Sequence, residues 1–277
     1  GGSLDDVVKM GGLFIDQGPI VQVKEKGRKA QVLEDRYAGA EWDGALVIMV
    51  NEFSASASEI MAAAMQDYGR AVIVGSSSTH GKGTVQRFLD LNRAVRSKDV
   101  PDLGSVKLTI QKFYRINGDA TQLIGVRSDI LLPDNYMYIK TGEKEHDYPM
   151  AWDQIASSDY DAKHFSIPVK VYKKSQARVK KSETFQLIEQ NARRWERERA
   201  DNTYPLNLSA YAVQEEKDKK ESEKFAVLKK RVIDGFEVTN TSADLTIINT
   251  EESRQKRNND WIKSISKDPY VYESIQI

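Results

Sequence analysis

The chain has 277 residues, of which 40% are hydrophobic and 30% charged, so it can bury a hydrophobic core. Its 41 basic and 41 acidic side chains cancel, which removes the simplest electrostatic case for a protein that binds nucleic acid or an acidic membrane. Without cysteine it can form no disulfide and no thiolate zinc site, and it contains no run of 18 apolar residues that could span a bilayer.

Apolar runs separated by glycine dominate the first 150 residues. Residues 45–50 form a continuous apolar run rich in β-branched side chains, which predicts a strand buried on both faces, and residues 71–75 predict a second strand of the same kind. Between them, residues 58–68 carry apolar side chains at helical spacing, Ile60, Met61, Ala64 and Met65. The segment therefore predicts a strand, helix, strand unit.

A second strand pattern follows. Residues 106–114 alternate between apolar and polar side chains with period two, and the turn signal Asn117 and Gly118 comes after them. Residues 124–132 are predicted to be the partner strand of a hairpin.

Beyond about residue 160 the chain becomes densely charged. Residues 170–234 hold 17 basic and 11 acidic side chains. Apolar residues recur there at helical spacing, at Phe185, Ile188, Ala192 and Trp195, and again at Phe225, Leu228 and Val232. The interleaved acids favour helices with solvated charged faces over a nucleic-acid surface, although binding of this locally basic stretch to an anionic polymer or membrane surface stays open.

Residues 51–60 join the first buried strand to the helix through small side chains. A serine here would sit at a helix N-terminus, where orphan backbone N–H groups and the helix dipole can stabilise an oxyanion. The alternative role is N-capping, for which Ser58, followed by the acid Glu59, is a good candidate. One cap does not need every serine of the run, so Ser56 is left as a candidate nucleophile.

A serine nucleophile needs a base, and the sequence shows no Ser/His/Asp set. The alternative is a lysine held neutral by burial, and the candidate is Lys82, which lies between Gly81 and Gly83 just after the second buried strand. An isolated lysine in a glycine turn is otherwise a solvated surface group. Gln86 would share a side with Lys82 in either a helical turn or a strand, and its amide could accept from the lysine and orient it.

Cofactor signals are weak. Gly81 to Thr84 looks like the end of a phosphate-binding loop, but residues 76–79 read Ser-Ser-Ser-Thr and the first glycine of that motif is missing. The three histidines, His80, His146 and His164, are scattered along the chain. We therefore expect no nucleotide, no metal and no other cofactor.

Five segments in this order form a specific set: residues 11–23, 53–60, 62–71, 81–86 and 108–115. Together they resemble the tail-specific proteases, also called C-terminal processing peptidases, and in particular their bacterial periplasmic branch. These enzymes are serine endopeptidases with a Ser/Lys dyad. The resemblance covers about residues 1–153, and the charged remainder is similar to the C-terminal extension of that branch.

The resemblance implies roles for individual residues. Ser56 matches the nucleophile, Lys82 the lysine base and Gln86 the glutamine that orients the lysine. The amide of Ala57 matches one oxyanion donor, and a glycine of the pair at residues 1–2, Gly2, matches the other. Asp67 matches a position that supports the site structurally.

The chain also departs from the family pattern. Its loop from residue 75 to 83 is one residue longer, with His80 where the family has an aromatic residue, and Ser128 stands where proline is common. The PDZ domain and the first part of the protease core are expected to be absent, which would make substrate capture by this chain weak.

The resemblance implies an α/β fold with a mixed-sheet protease core, residues 1–160, followed by a mainly α-helical extension, residues 161–277. It implies a periplasmic or cell-envelope endopeptidase that acts on proteins and peptides with apolar C-terminal tails, with a possible adaptor protein, no nucleic acid and no integral membrane span. The alternative is a catalytically silent fragment or scaffold whose helical region binds a partner or the missing domains.

Overall fold

The computed structural model describes residues 2–94, 101–162, 167–230, 233 and 235–277. Gly1, His164 and Val232, which the sequence analysis names, lie outside these residues. The chain divides into two compact units, Gly1–Leu131 with Lys140–Ile167 and Leu132–Ile139 with Pro168–Ile277.

The first unit contains two sheets and two α-helices. The helices are α1 (Leu4–Gly12) and α2 (Ala57–Asp67). The strands are β1 (Gly18–Lys24), β2 (Gln31–Asp35), β3 (Val47–Val50), β4 (Val72–Gly75), β5 (Thr84–Asp90), β6 (Ser105–Tyr114) and β7 (Ile130–Leu131). One sheet is antiparallel with the order β2-β1-β6-β5, and the other is parallel with the order β3-β4-β7.

The strand, helix, strand prediction is confirmed. β3 and β4 pair in parallel with α2 between them in the chain. Every residue of β4 is buried, as its apolar run predicts. The prediction that the first strand is buried on both faces is wrong, because Met49 in β3 is 50% exposed. Within the described residues β3 pairs with β4 alone and is therefore an edge strand, and the exposure of Met49 shows that one face of this strand is open to solvent.

The core of the first unit forms around α2. Four consecutive residues of this helix, 62–65, are at most 2% exposed, and they belong to one apolar cluster with Ile20 and Ile73. Alanine side chains on α2 let it pack against α1, β1 and β4 at close range. This packing sets the position of the N-terminal end of α2, where the site described below lies.

The hairpin prediction is wrong in its second strand. The strand at residues 106–114 is present as β6, and a turn follows in which the Gly118 N–H donates to the Arg115 carbonyl at 3.0 Å. However, β6 pairs with β1 and β5, while only Ile130–Leu131 of the expected partner is a strand, and it pairs with β4. β6 thus pairs with two strands that precede it in the chain, the adjacent β5 and the more distant β1.

The second unit is built of helices. They are α3 (Val169–Lys181), α4 (Glu183–Ala200), α5 (Leu208–Glu223), α6 (Val227–Lys230), α7 (Ser242–Ile248), α8 (Glu252–Ile265) and α9 (Pro269–Gln276). The predicted apolar stripe at Phe185, Ile188 and Ala192 is buried on α4. The second predicted stripe is interrupted, because Phe225 lies in a turn between α5 and α6.

The predicted class, an α/β region with mixed β-structure followed by a mainly helical region, is confirmed. Of the helices that the structure describes, none is both long and apolar enough to cross a membrane.

Candidate active site

Ser56 lies where the chain turns from the loop after β3 into α2. It occupies the N-cap position of the helix, and its carbonyl accepts the first helical bond, from Ile60 N–H at 2.9 Å. Its backbone has φ of 60° and ψ of −115°, a region that residues with a side chain rarely adopt and that costs about 1–3 kcal/mol. The prediction that Ser58 caps the helix is wrong, because Ser58 lies inside its first turn.

The carboxylate of Glu59 holds this turn and the Lys82 loop together. Its Oε2 accepts from Ser56 N–H at 2.8 Å and from Lys82 N–H at 3.0 Å. Its Oε1 accepts from the Thr79 hydroxyl at 2.6 Å and from Gly81 N–H at 2.7 Å. A carboxylate offers about four acceptor positions, so this one is fully used. Two segments more than 20 residues apart in the sequence are therefore tied to one side chain.

Glu59 is fully buried. Burial raises its pKa above the ordinary value because the charged form loses hydration, and the four hydrogen bonds from Thr79, Ser56, Gly81 and Lys82 oppose that rise. All four neighbours donate, an arrangement that suits the ionised form, which only accepts.

Lys82 and Gln86 meet at the start of β5. Lys82 is half-buried and lies two residues before the first residue of β5, with Gly83 between them. Its Nζ donates to Gln86 Oε1 at 3.5 Å, which is long for a hydrogen bond. A register shift between Val85 and Gln86 interrupts the β5 and β6 pairing at this point. Among the described residues the ammonium donates to Gln86 and not to Ser56 Oγ.

The loop that carries Lys82 is held from its other side by two neighbouring residues. The Thr121 hydroxyl donates to the Lys82 carbonyl at 2.8 Å, and Gly83 N–H donates to Gln122 Oε1 at 2.8 Å. Gln122 is completely buried. The backbone around Lys82 is thus anchored while the end of its side chain remains accessible.

Ala57 and Gly2 are neighbours at the start of α2. A Cβ placed on Gly2 would lie 3.2 Å from Ala57 Cβ, so the backbone of Gly2 runs beside the first helical residue. The N–H of Ala57 belongs to the first turn, whose amides have no acceptor inside the helix. Two backbone segments therefore meet next to Ser56.

Asp67 lies at the other end of α2, about 16 Å along the helix from Ser56. It pairs with Arg115 at 2.6 Å and accepts from Asn117 Nδ2 at 3.1 Å. Burial raises the pKa of Asp67, and the Arg115 hydrogen bond opposes the rise. The contact ties the C-terminal end of α2 to the turn after β6 and involves neither Ser56 nor Lys82.

Sequence reasoning missed the contribution of Glu59. The available signal was an acid in the first turn of the helix, and we interpreted it as part of a cap. That interpretation predicts only an acid placed favourably near the helix N-terminus, whereas in the structure Glu59 accepts from Ser56 N–H and from three donors in the loop at residues 79–82. Those three partners could not be found without the fold.

Comparison with known proteins gives two family matches. Peptidase family S41 matches residues 1–132, and the C-terminal domain of tail specific protease matches residues 136–277. The chain is 48% identical over 160 residues to the Tail-specific protease of Haemophilus influenzae, an overlap that covers 58% of this chain and 23% of that protein. It is 35% identical over 158 residues to a Probable CtpA-like serine protease of Staphylococcus epidermidis, covering 52% of this chain and 30% of that protein.

A solved structure, the photosystem II D1 C-terminal processing protease, is 27% identical with a TM-score of 0.39, and the match covers 48% of this chain and 32% of that one. In each of these three comparisons the chain spans less than a third of the other protein.

Proposed function

The chain belongs to the tail-specific protease family, and on that premise we propose that Ser56 and Lys82 are the dyad of a serine endopeptidase. The observation that carries the proposal is the shared carboxylate of Glu59, whose Oε2 accepts from the backbone N–H of both residues. It gives the nucleophile turn and the base loop one common anchor.

Acylation begins when Lys82, in its unprotonated form, takes the proton from Ser56 Oγ. The serine oxygen bonds to the carbonyl carbon of the peptide, and the negative charge moves to the carbonyl oxygen. The N–H groups of Ala57 and Gly2 donate to that oxyanion. When the C–N bond breaks, Lys82 gives its proton to the leaving amine and an acyl ester remains on Ser56.

Deacylation uses the same groups in reverse. Lys82 takes a proton from a water molecule, which attacks the ester carbon, and the second oxyanion uses the same two N–H groups. The ester C–O bond breaks, Ser56 recovers its proton, and the peptide leaves with a new carboxyl group. Gln86 orients the lysine amine throughout by accepting from Nζ, which is the role that the third group has in a triad.

The positive φ of Ser56 supports the nucleophile assignment. Backbone strain of this kind persists only where surrounding contacts hold it, and it collects at functional sites. Here the Glu59 bond to Ser56 N–H and the helical bond to its carbonyl hold the turn from both sides. Capping alone does not require this strain, because N-cap residues ordinarily adopt the β region of φ and ψ.

We further propose that the substrates are proteins and peptides with apolar C-terminal tails, that an adaptor protein can deliver them, and that the enzyme works in the periplasm or cell envelope. The family relationship supports these assignments.

The test compares variants of this chain on a protein that ends in an apolar tail and on the same protein ending in charged residues, with products identified by intact mass. The variants are Ser56→Ala, Lys82→Ala and the matched control Ser58→Ala, a serine of the same helix turn. The chain spans 23% of the Haemophilus influenzae relative. The parent chain and each variant are therefore also produced as a fusion with the remaining part of that relative, which we call the joined enzyme.

We expect the joined enzyme and its Ser58→Ala variant to cleave the apolar-tailed protein, and to cleave the charged-tailed one more slowly. The Ser56→Ala and Lys82→Ala variants should leave both intact. Cleavage that survives Ser56→Ala would refute the dyad, and equal cleavage of both tails would refute the substrate class.

A further inference from the structure

His80, Glu143 and His146 form a cluster in the first unit, although 66 residues separate the two histidines in the sequence. His80 Nε2 lies 3.6 Å and His146 Nε2 lies 3.8 Å from Glu143 Oε2. One ligand atom from each of the three side chains lies within 4.8 Å of the other two. None of these residues takes part in the mechanism proposed above.

We infer that His80, Glu143 and His146 bind a divalent transition metal ion of the zinc type. Zinc binds imidazole nitrogen and carboxylate oxygen at about 2.0–2.2 Å, so two ligands of a tetrahedral ion lie about 3.4 Å apart. The two measured separations exceed this value by only a few tenths of an ångström. Two imidazoles with one carboxylate favour zinc, nickel or copper over magnesium or calcium, which prefer oxygen ligands.

The carboxylate ligand is oriented by residues behind it. Its side chain is 17% exposed, and its second oxygen, Oε1, accepts from Gln122 Nε2 at 3.3 Å. Gln122 is itself fixed, since its Oε1 accepts from Gly83 N–H. Outer contacts of this kind hold a metal ligand in position before the ion binds.

The backbone also brings the two segments together. The Glu143 N–H donates to the His80 carbonyl at 2.8 Å. Gly142, with φ of 99°, lies so close to that carbonyl that a Cβ on it would stand 2.7 Å from the oxygen. A residue with a side chain would push the segments apart, so glycine keeps the His80 and Glu143 side chains within reach of one ion.

The site would place an ion on the loop that carries Lys82, two residues from His80. Three protein ligands leave a position open for water. An ion bound here crosslinks this loop to residues 142–146, so it would stabilise the folded chain by an amount that grows with the logarithm of the ion concentration above the dissociation constant. The inference concerns metal binding alone and holds whether or not the dyad proposed above is catalytic.

The experiment titrates the full chain, freed of metal by a chelator, with Zn²⁺ by calorimetry and with Co²⁺ by visible absorption. The variants are His146→Ala, whose side chain is 63% exposed in the parent and is dispensable for packing, and Glu143→Gln. The matched control is Glu145→Gln, an exposed acid two residues from Glu143. Circular dichroism of each metal-free variant verifies that it is folded.

We expect one Zn²⁺ per chain, a Co²⁺ absorption band and a higher melting temperature with Zn²⁺, all retained in Glu145→Gln. Binding should weaken at least about 10-fold in His146→Ala and Glu143→Gln, and Mg²⁺ should give no signal. Failure of the folded parent to bind Zn²⁺ at about 1 mM would overturn the inference, because its affinity would then lie below that of any useful site. Equal binding by a folded His146→Ala variant would do the same, because it would show that His146 is not a ligand.

Discussion

Replacing Glu59 with glutamine tests whether one buried carboxylate organises the candidate active site. Glutamine has the same shape but turns one acceptor oxygen into an NH₂ donor. The orientation of lower free energy directs the NH₂ toward Thr79 and Gly81. The Thr79 hydroxyl can then rotate and accept from the NH₂, whereas the Gly81 N–H loses its acceptor. The carbonyl oxygen still accepts from Ser56 and Lys82, but without a negative charge.

The expected cost follows from counting these bonds. A hydrogen bond to a charged acceptor contributes about 1.5–3 kcal/mol, roughly twice a neutral one. One bond lost at Gly81 and two weakened by half at Ser56 and Lys82 amount to about 3–6 kcal/mol. Burial of the charged carboxylate, which raises the pKa of Glu59, is unfavourable. The neutral amide of glutamine avoids that unfavourable burial, which offsets part of the lost hydrogen-bond energy. We expect the free energy of unfolding to fall by about 2–4 kcal/mol.

Urea denaturation measures the global loss, and amide hydrogen exchange locates it. If the Gly81 bond contributes about 3 kcal/mol, protection of the Gly81 amide should fall about 100-fold, with smaller losses at Ser56 and Lys82. Glu183→Gln is the control, because it changes an exposed acid in the first turn of α4 and should shift stability by less than about 0.5 kcal/mol. Unchanged protection at Gly81, with stability also within about 0.5 kcal/mol, would show that Glu59 does not hold the loop.

Three further predictions concern the frame of the first unit. Asp67→Ala removes the charged partner of Arg115, whose side chain is 15% exposed and keeps Gln66 as an acceptor, and should lower the free energy of unfolding by about 2–4 kcal/mol in urea; a loss below about 1 kcal/mol would contradict this. Burial and a nearby carboxylate raise the pKa of Tyr114 to about 12, whereas the unfolded chain loses that proton near 10, so stability should fall as pH rises from 10 to 12. Tyr114→Phe should reduce this fall, as urea melts at several pH values would detect, and an unchanged pH profile would count against it. Gly75→Ala puts a Cβ onto the Val50 carbonyl and should disrupt folding. Gly27 also has a positive φ but has open space around it, so Gly27→Ala should lower the free energy of unfolding by only about 1–2 kcal/mol, as measured by thermal melting. Similar losses of stability in the two variants would disprove the steric argument.

The spacing of residue types along the chain is enough to predict the local elements and to single out Ser56, Lys82 and Gln86 as candidates. The helix of residues 57–67 and the strands on either side of it follow from the spacing of apolar residues, which is a property of neighbours in the chain. Ser56 stood out because it precedes a helix, and Lys82 because glycines flank it. Gln86 followed because a four-residue spacing returns to the same side, and in the structure it accepts from Lys82.

Which distant segments meet depends on the packing of the whole fold. The alternation in residues 106–114 predicts a strand, but alternation does not specify a partner, and β6 pairs with β1 and β5 instead of with the residues that follow the turn. Glu59 matches an ordinary acid at a helix start until the fold brings the loop at residues 79–82 onto it. His80 and His146 look scattered for the same reason. Contacts of this kind depend on how the whole core packs, whereas periodicity and spacing describe only what adjacent residues prefer.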